Sequence, residues 1–199
     1  MKRSLRIGLT GGIGTGKSTA LRRLSALGCR TISLDEIARR QARPGGSAYG
    51  KLVRSFGRGI LGRGKAIDRA RLGRLVFRNE RALRRLERLT HPAILAEMRR
   101  RLRETSGVVV ADVPLLFEKR LQGEFDATVM IAARPSSQSR RIMARDGLGK
   151  AEARRRMSAQ RPVSEKAELA DVVIWNEGGL KDFESRIDQY YRAFRLMRS

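Results

Sequence analysis

The chain has 199 residues, with 44 Lys and Arg against 20 Asp and Glu and a formal net charge of +24. That length suits one α/β domain with insertions. Its one cysteine, Cys29, excludes an intrachain disulfide, a Cys-rich zinc site and a disulfide-stapled secreted scaffold, so a reducing cytoplasm is the default expectation. The first apolar run is broken by Gly8 and too short for a signal peptide, and no later stretch is apolar enough to span a membrane, so no membrane partner is expected.

In chain order, Leu5 to Leu9 reads as a buried parallel strand running into a glycine cluster. A helix follows over Gly16 to Leu27, with Ala20, Leu21, Leu24 and Leu27 on one face and Gly28 placed for a left-handed C-cap. Cys29 to Leu34 reads as a second strand, and further strands are expected at Val108 to Ala111, Ala127 to Ile131 and Val172 to Trp175. Helical material between all five implies a parallel sheet with right-handed crossovers. The roughly seventy residues between the second and third strands far exceed a minimal crossover of about a dozen and predict a helical insert. In that insert Ser47, Asp68 and Asn79 stand where N-caps belong, and Pro92 where a further helix would open. A second helical excursion runs from Ser136 to Ala170.

Gly11-Gly12-Ile13-Gly14-Thr15-Gly16-Lys17-Ser18 matches the G-x-x-x-x-G-K-[ST] phosphate loop, in the strand-to-helix context the motif requires. Glycines let successive N–H groups turn inward onto phosphate oxygens, and the helix N-terminus adds partial positive charge. Nucleotide contacts are expected from Gly11 through Thr19, with Lys17 on the β- and γ-phosphates and Ser18 on Mg²⁺. The fold expected is therefore a three-layer P-loop NTPase fold around a five-stranded parallel sheet. GTPases, ATP-driven motors and small-molecule kinases share this loop, so the acceptor must be read elsewhere.

Asp35 lies just beyond the second strand, at the carboxyl edge where open α/β sheets bind ligands; it suits a base for an attacking hydroxyl, a role that can coexist with an N-cap for a helix over Glu36 to Gln41. Asp112 ends the apolar third strand as a Walker B carboxylate would, holding Mg²⁺; a surface turn before Pro114 is the plainer reading. His91, the one histidine, reads as a substrate contact or, with Pro92, as a helix entry.

These runs together resemble the dephospho-CoA kinase family. The resemblance rests on GLTGGIGTGKS, DEIAR from Asp35, PGGSAY from Pro44, LERLTHPAI from Leu86 and DVPLLFE from Asp112, then RIMARD from Arg141, RMSAQ from Arg156, Lys166, Ala170-Asp171 and Asn176. It implies ATP and Mg²⁺ as co-substrate and cofactor, and dephospho-CoA as acceptor, its ribose 3′-hydroxyl deprotonated by Asp35. It implies a nucleotide-binding core over 1–34, 96–145 and 167–199, an acceptor-binding helical insert over 35–95 and a helical lid over 146–166. Arg145 and Asn176 would lie near ATP. Asp35, Arg39, His91, Pro114 and Leu115 would meet the acceptor. One departure is Ser33-Leu34-Asp35, where the family commonly carries two aspartates one residue apart; Ser33 or water is expected to replace the first.

Of the 44 cations 36 are Arg, spread over every helical segment. Most read as solvated helix faces; Arg141 and Arg156, with Arg145, are the expected lid contacts to phosphate, any one of them equally readable as solvent-facing. No aromatic-interleaved basic patch supports a specific nucleic-acid site, and no obligatory protein partner is implied. The rival readings are a nucleoside monophosphate type of P-loop kinase and a nucleic-acid-dependent ATPase.

Overall fold

The structure is a computed structural model that describes residues 4–77 and 79–197. Five strands, β1 (Leu5–Gly11), β2 (Arg30–Ser33), β3 (Val108–Asp112), β4 (Ala127–Ala132) and β5 (Val172–Trp175), form one sheet in the order β2-β3-β1-β4-β5. The registers of β1 on β3 and β4, and of β4 on β5, are parallel, as the apolar runs predict. Because β1 sits centrally, Leu9 pairs with Asp112 on one side and Gly11 with Ile131 on the other, which gathers the carboxyl ends at one edge.

The chain divides into two compact units, residues 4–32 with 102–197, and residues 33–101. In the first, α1 (Lys17–Ala26) and the C-terminal α9 (Leu180–Leu196) cover the sheet, burying Ala20 and Leu24 from one helix and Phe183, Ile187 and Phe194 from the other against Leu5, Ile7, Leu9, Val129 and Ile131. Each of these side chains larger than alanine contributes about 1.5–3 kcal/mol of burial. Cys29 belongs to this core, 5% exposed, and burial pushes its thiol up to about 11. Gly28 takes φ 97°, the expected left-handed end of α1. The spacing of Phe183, Ile187 and Phe194 marks α9 as amphipathic, a helix outside the expected set.

In the second unit, α2 (Leu34–Gln41), α3 (Tyr49–Phe56), α4 (Arg69–Val76) and α5 (Glu80–Glu104, within this unit as far as Arg101) enclose Ala48, Leu52, Ile60, Leu72 and Val76. Asp68 caps α4 through the Ala70 and Arg71 N–H groups, and Asn79 receives the Ala82 N–H at 3.1 Å, both as expected. Two boundaries differ. Ser47 does not cap α3; its hydroxyl donates to Gln41 Oε1 at 2.5 Å, and α3 starts behind Ala48 without a side-chain cap. Pro92 opens no helix, because α5 runs straight through it.

The excursion after β4 holds α6 (Pro135–Asp146), α7 (Lys150–Ser158) and α8 (Val163–Ala167). Between β3 and β4 there is no α-helix, only a turn region and a 3₁₀ turn over Gln122–Glu124, so that connection departs from the expected helical crossover.

Candidate functional site

The loop from Gly11 to Ser18 leaves β1 and enters α1, and several of its carbonyls are hydrogen-bonded within the protein. The Gly12 carbonyl accepts from the Thr15 hydroxyl at 2.8 Å and the Thr15 N–H at 3.3 Å, and the Thr15 carbonyl accepts from Asn176 Nδ2 at 2.8 Å. The Gly14 carbonyl accepts from Arg141 at 3.4 Å. The N–H groups of Gly14, Gly16, Lys17 and Ser18 have no acceptor among the described residues, and donors left open at a helix N-terminus are the kind that suit an anion. Gly16 is obligatory: its φ is 94°, and a Cβ there would overlap the Asn176 amide. Thr15 is fully buried, and Thr19 spends its N–H on the Gly16 carbonyl at 2.9 Å.

Asn176, 7% exposed, acts as a brace. Its backbone N–H continues the sheet onto the Ala132 carbonyl, its Nδ2 holds the loop, and its Oδ1 and carbonyl accept from Arg141 at 3.1 and 2.9 Å. Arg141 therefore lies on α6, outside 146–166, and its guanidinium grips loop and sheet backbone. It braces the loop, a different place from the lid contact expected of it.

Lys17 donates to Asp112, both side chains being under a fifth exposed. Asp112 comes to this edge through its register with Leu9, and the next residue is fixed by the Val113 N–H on the Leu9 carbonyl at 2.8 Å. Among the described residues no group of three His, Cys, Asp or Glu side chains could hold a metal. A single carboxylate such as Asp112 is nevertheless compatible with Mg²⁺, which keeps several waters and takes its remaining ligands from phosphates. Thr10 Oγ1 donates to the Pro114 carbonyl at 3.3 Å, anchoring the turn in which Leu115 stands 47% exposed.

Arg145 and Arg156 are tied to acids. Arg145 grips Asp146 through both guanidinium edges, at 2.7 and 3.0 Å, and Arg156 reaches the same carboxylate at 3.1 Å and Glu152 at 3.4 Å. The Arg145 guanidinium, first, and the Arg156 charge hold the Asp146 carboxyl below the usual range against a desolvation that opposes them. Lys166, 2% exposed, donates to Glu118 at 2.5 Å, and the second Glu118 oxygen is buried without a partner. Gln160, quoted above only within the RMSAQ run, accepts the Ile13 N–H at 2.9 Å.

In the second unit, Asp35 is exposed in the first turn of α2. The cap of that helix is Ser33, whose hydroxyl accepts the Glu36 N–H at 3.3 Å; the N-cap reading of Asp35 is thereby corrected and its carboxylate left available. Arg39 donates through Nε to the Asp35 carbonyl at 3.2 Å. Arg39, Arg43 and Arg69 rim a cavity of about 410 Å³ floored by Leu52, Leu72, Leu86 and Ile94. His91 lies mid-helix in α5, lining an open depression of about 590 Å³ with Arg81, Arg84, Glu87, Arg88 and Pro92, so the helix-entry reading does not hold.

No described helix is long and apolar enough to cross a membrane. The family model described as dephospho-CoA kinase matches residues 5–182. A dephospho-CoA kinase of Carboxydothermus hydrogenoformans is 43% identical over 185 residues, 91% of this chain and 90% of that protein. Among solved structures, TT1252 from Thermus thermophilus superposes with a TM-score of 0.83 at 34% identity, covering 96% of this chain and 98% of that one. Dephospho-CoA kinase from Campylobacter jejuni superposes at 0.74 with 28% identity, over 99% and 100% of the two chains. A phosphate loop on this sheet, with this breadth of similarity, makes the chain a member of the dephospho-CoA kinase family.

Proposed function

We propose that the chain transfers the γ-phosphate of ATP to the ribose 3′-hydroxyl of dephospho-CoA, giving ADP and coenzyme A, in the cytoplasm. The observation that carries the reading is the phosphate loop, with four N–H groups left without an acceptor where β1 enters α1 and with Lys17 beside Asp112. Family membership supplies the acceptor and disfavours a nucleoside monophosphate kinase or a nucleic-acid-dependent ATPase.

In this mechanism the 3′-oxygen forms a bond to the γ-phosphorus as the bond to the β,γ-bridging oxygen breaks, and the hydroxyl proton passes to the Asp35 carboxylate. Lys17 and the loop N–H groups hold the phosphates in line, so most of the acceleration comes from positioning and charge. Ser18 and Asp112 would hold Mg²⁺, which when bound neutralises charge on the phosphate oxygens. Arg39, with Arg43 and Arg69 around the apolar-floored cavity, suits an acceptor carrying both phosphates and a long uncharged arm. Pro114 and Leu115 are acceptor contacts, His91 extends the acceptor side along α5, Arg156 belongs to the lid over 146–166, and Arg145, at the end of α6, serves the ATP end.

A coupled assay of ADP release tests this: dephospho-CoA should accelerate release strongly and AMP should not. Equal rates with and without dephospho-CoA would make the protein an ATPase. Asp35→Asn should lower transfer by at least about a hundredfold, with ATP affinity and melting temperature kept. Retained transfer in that variant removes Asp35 from the role of base.

A further inference from the structure

The stretch from Gly147 to Lys166 is pinned at both ends. Asp146 joins the end of α6 to Arg156 of α7, and Lys166 of α8 is buried on Glu118. Between these pins, two residues beyond α7, stands Gln160, whose main chain is set by its N–H on the Met157 carbonyl at 3.1 Å. The residue is exposed, yet its side-chain oxygen accepts the Ile13 N–H at 2.9 Å. Among the described residues no other side chain of this stretch hydrogen-bonds the phosphate loop.

Two features mark the contact as built. It uses a donor from the crown of the loop, where Gly14, Gly16, Lys17 and Ser18 keep their N–H groups unpaired, so it leaves those donors to phosphate. Gly12 makes room for it: a Cβ at Gly12 would stand 3.2 Å from Gln160 Oε1, tight enough to push the amide, while its next neighbours are at 3.6 Å. The Gln160 carbonyl also commits the other end of the group, an NH₂ with two donors and no acceptor role. That end is chemically suited to face phosphate oxygens.

We infer that Gln160 is a positioning residue that docks the 147–166 stretch onto the phosphate loop through the Ile13 N–H, setting the closed lid that keeps water from the transferring phosphate. The inference rests on the kinase reading above. It acts on the partition of the γ-phosphate between the acceptor hydroxyl and water, because a lid seated one hydrogen bond short admits solvent.

The variants are Gln160→Met, nearly isosteric but without the acceptor, and Gly12→Ala, which disturbs the same contact from the loop side. Hydrogen exchange of the loop peptide, measured without nucleotide, should quicken several-fold in each. With ATP, the ratio of acceptor-independent hydrolysis to transfer onto dephospho-CoA should rise about tenfold in each, and the double variant should add little to either single one. KM for dephospho-CoA should stay as in the parent, as should the melting temperature of Gln160→Met. Unchanged exchange in Gln160→Met overturns the contact. Faster exchange with an unchanged hydrolysis-to-transfer ratio overturns the positioning role, as does a loss confined to ATP affinity. A parent protein that makes no coenzyme A would instead refute the kinase reading, and the exchange measurement would still judge the contact.

Discussion

Glu97 is one of only six acids among the 69 residues from 33 to 101, which also carry 19 Lys and Arg. It accepts from Arg100 at 2.9 Å through two guanidinium nitrogens and from Arg101 at 2.8 Å. Those hydrogen bonds, Arg100 first and then Arg101, pull its carboxyl from 4.5 down to about 2 against desolvation. A depressed folded-state value means that the stabilisation is complete above about 4.5 and lost as pH falls through about 2. Glu97→Gln should therefore lower the melting temperature at pH 7, and the gap from the parent should close as melts are repeated toward pH 2. Single residues were unevenly legible. Lys17, Ser18 and Gly16 follow from motif spacing, because a phosphate loop tolerates little else. Asn176 and Gln160 act through the fold, 161 and 147 residues from their loop partners, and no local pattern announces such contacts.

At the level of elements, α8 is short, and Lys166 is its one buried residue. Truncating this lysine strands the Glu118 carboxylate, whose second oxygen is already without a partner. Breaking a buried pair from one side costs about 3–5 kcal/mol, and the lower end applies here because the Glu118 side chain is 23% exposed. Lys166→Met should lose about 3 kcal/mol in urea unfolding, and adding Glu118→Leu should recover most of it. A double variant no more stable than the single one would deny the pair that role. Helix boundaries were legible where a side chain makes the cap, as at Asp68 and Asn79. They were misread at Pro92, where a proline inside a helix costs about 3 kcal/mol and normally ends it. Here Leu83, Leu86 and Leu89 before it and Met98 and Leu102 after it are packed inward, and burial on both sides carries the helix through. Ser33, expected with water to stand in for the first of the two aspartates, also caps α2 and so sets the helix on which Asp35 stands.

Across the whole molecule the charge is unequally shared. Residues 33–101 hold 19 cations against 6 acids, so about a third of the chain carries more than half of the net +24. In the proposed reaction that unit takes up an acceptor with a charged diphosphate, and exposed arginines attract it over about a Debye length, near 10 Å at 0.1 M salt. Raising NaCl from about 25 to 250 mM should lower kcat/KM for dephospho-CoA several-fold while kcat holds, read from initial rates at low acceptor concentration. Salt-independent kcat/KM would deny the arginines a steering role. The class of fold was legible because five apolar runs with helices between most of them admit few arrangements. The strand order was not, since side-chain periodicity says nothing about which parallel neighbour a strand chooses. The helix-free passage from β3 to β4 escaped for a related reason: its turns carry no periodic signal.

The buried sulfur of Cys29 matters in a further way. With the thiol raised to about 11, roughly one molecule in ten thousand carries a thiolate there at pH 7. The acceptor and product of the proposed reaction each end in a free thiol, and oxidised forms of such compounds exchange readily with reactive protein cysteines. A chain whose one sulfhydryl is walled into the sheet core offers them no partner. It can handle a thiol cargo under oxidative stress without becoming covalently trapped by it.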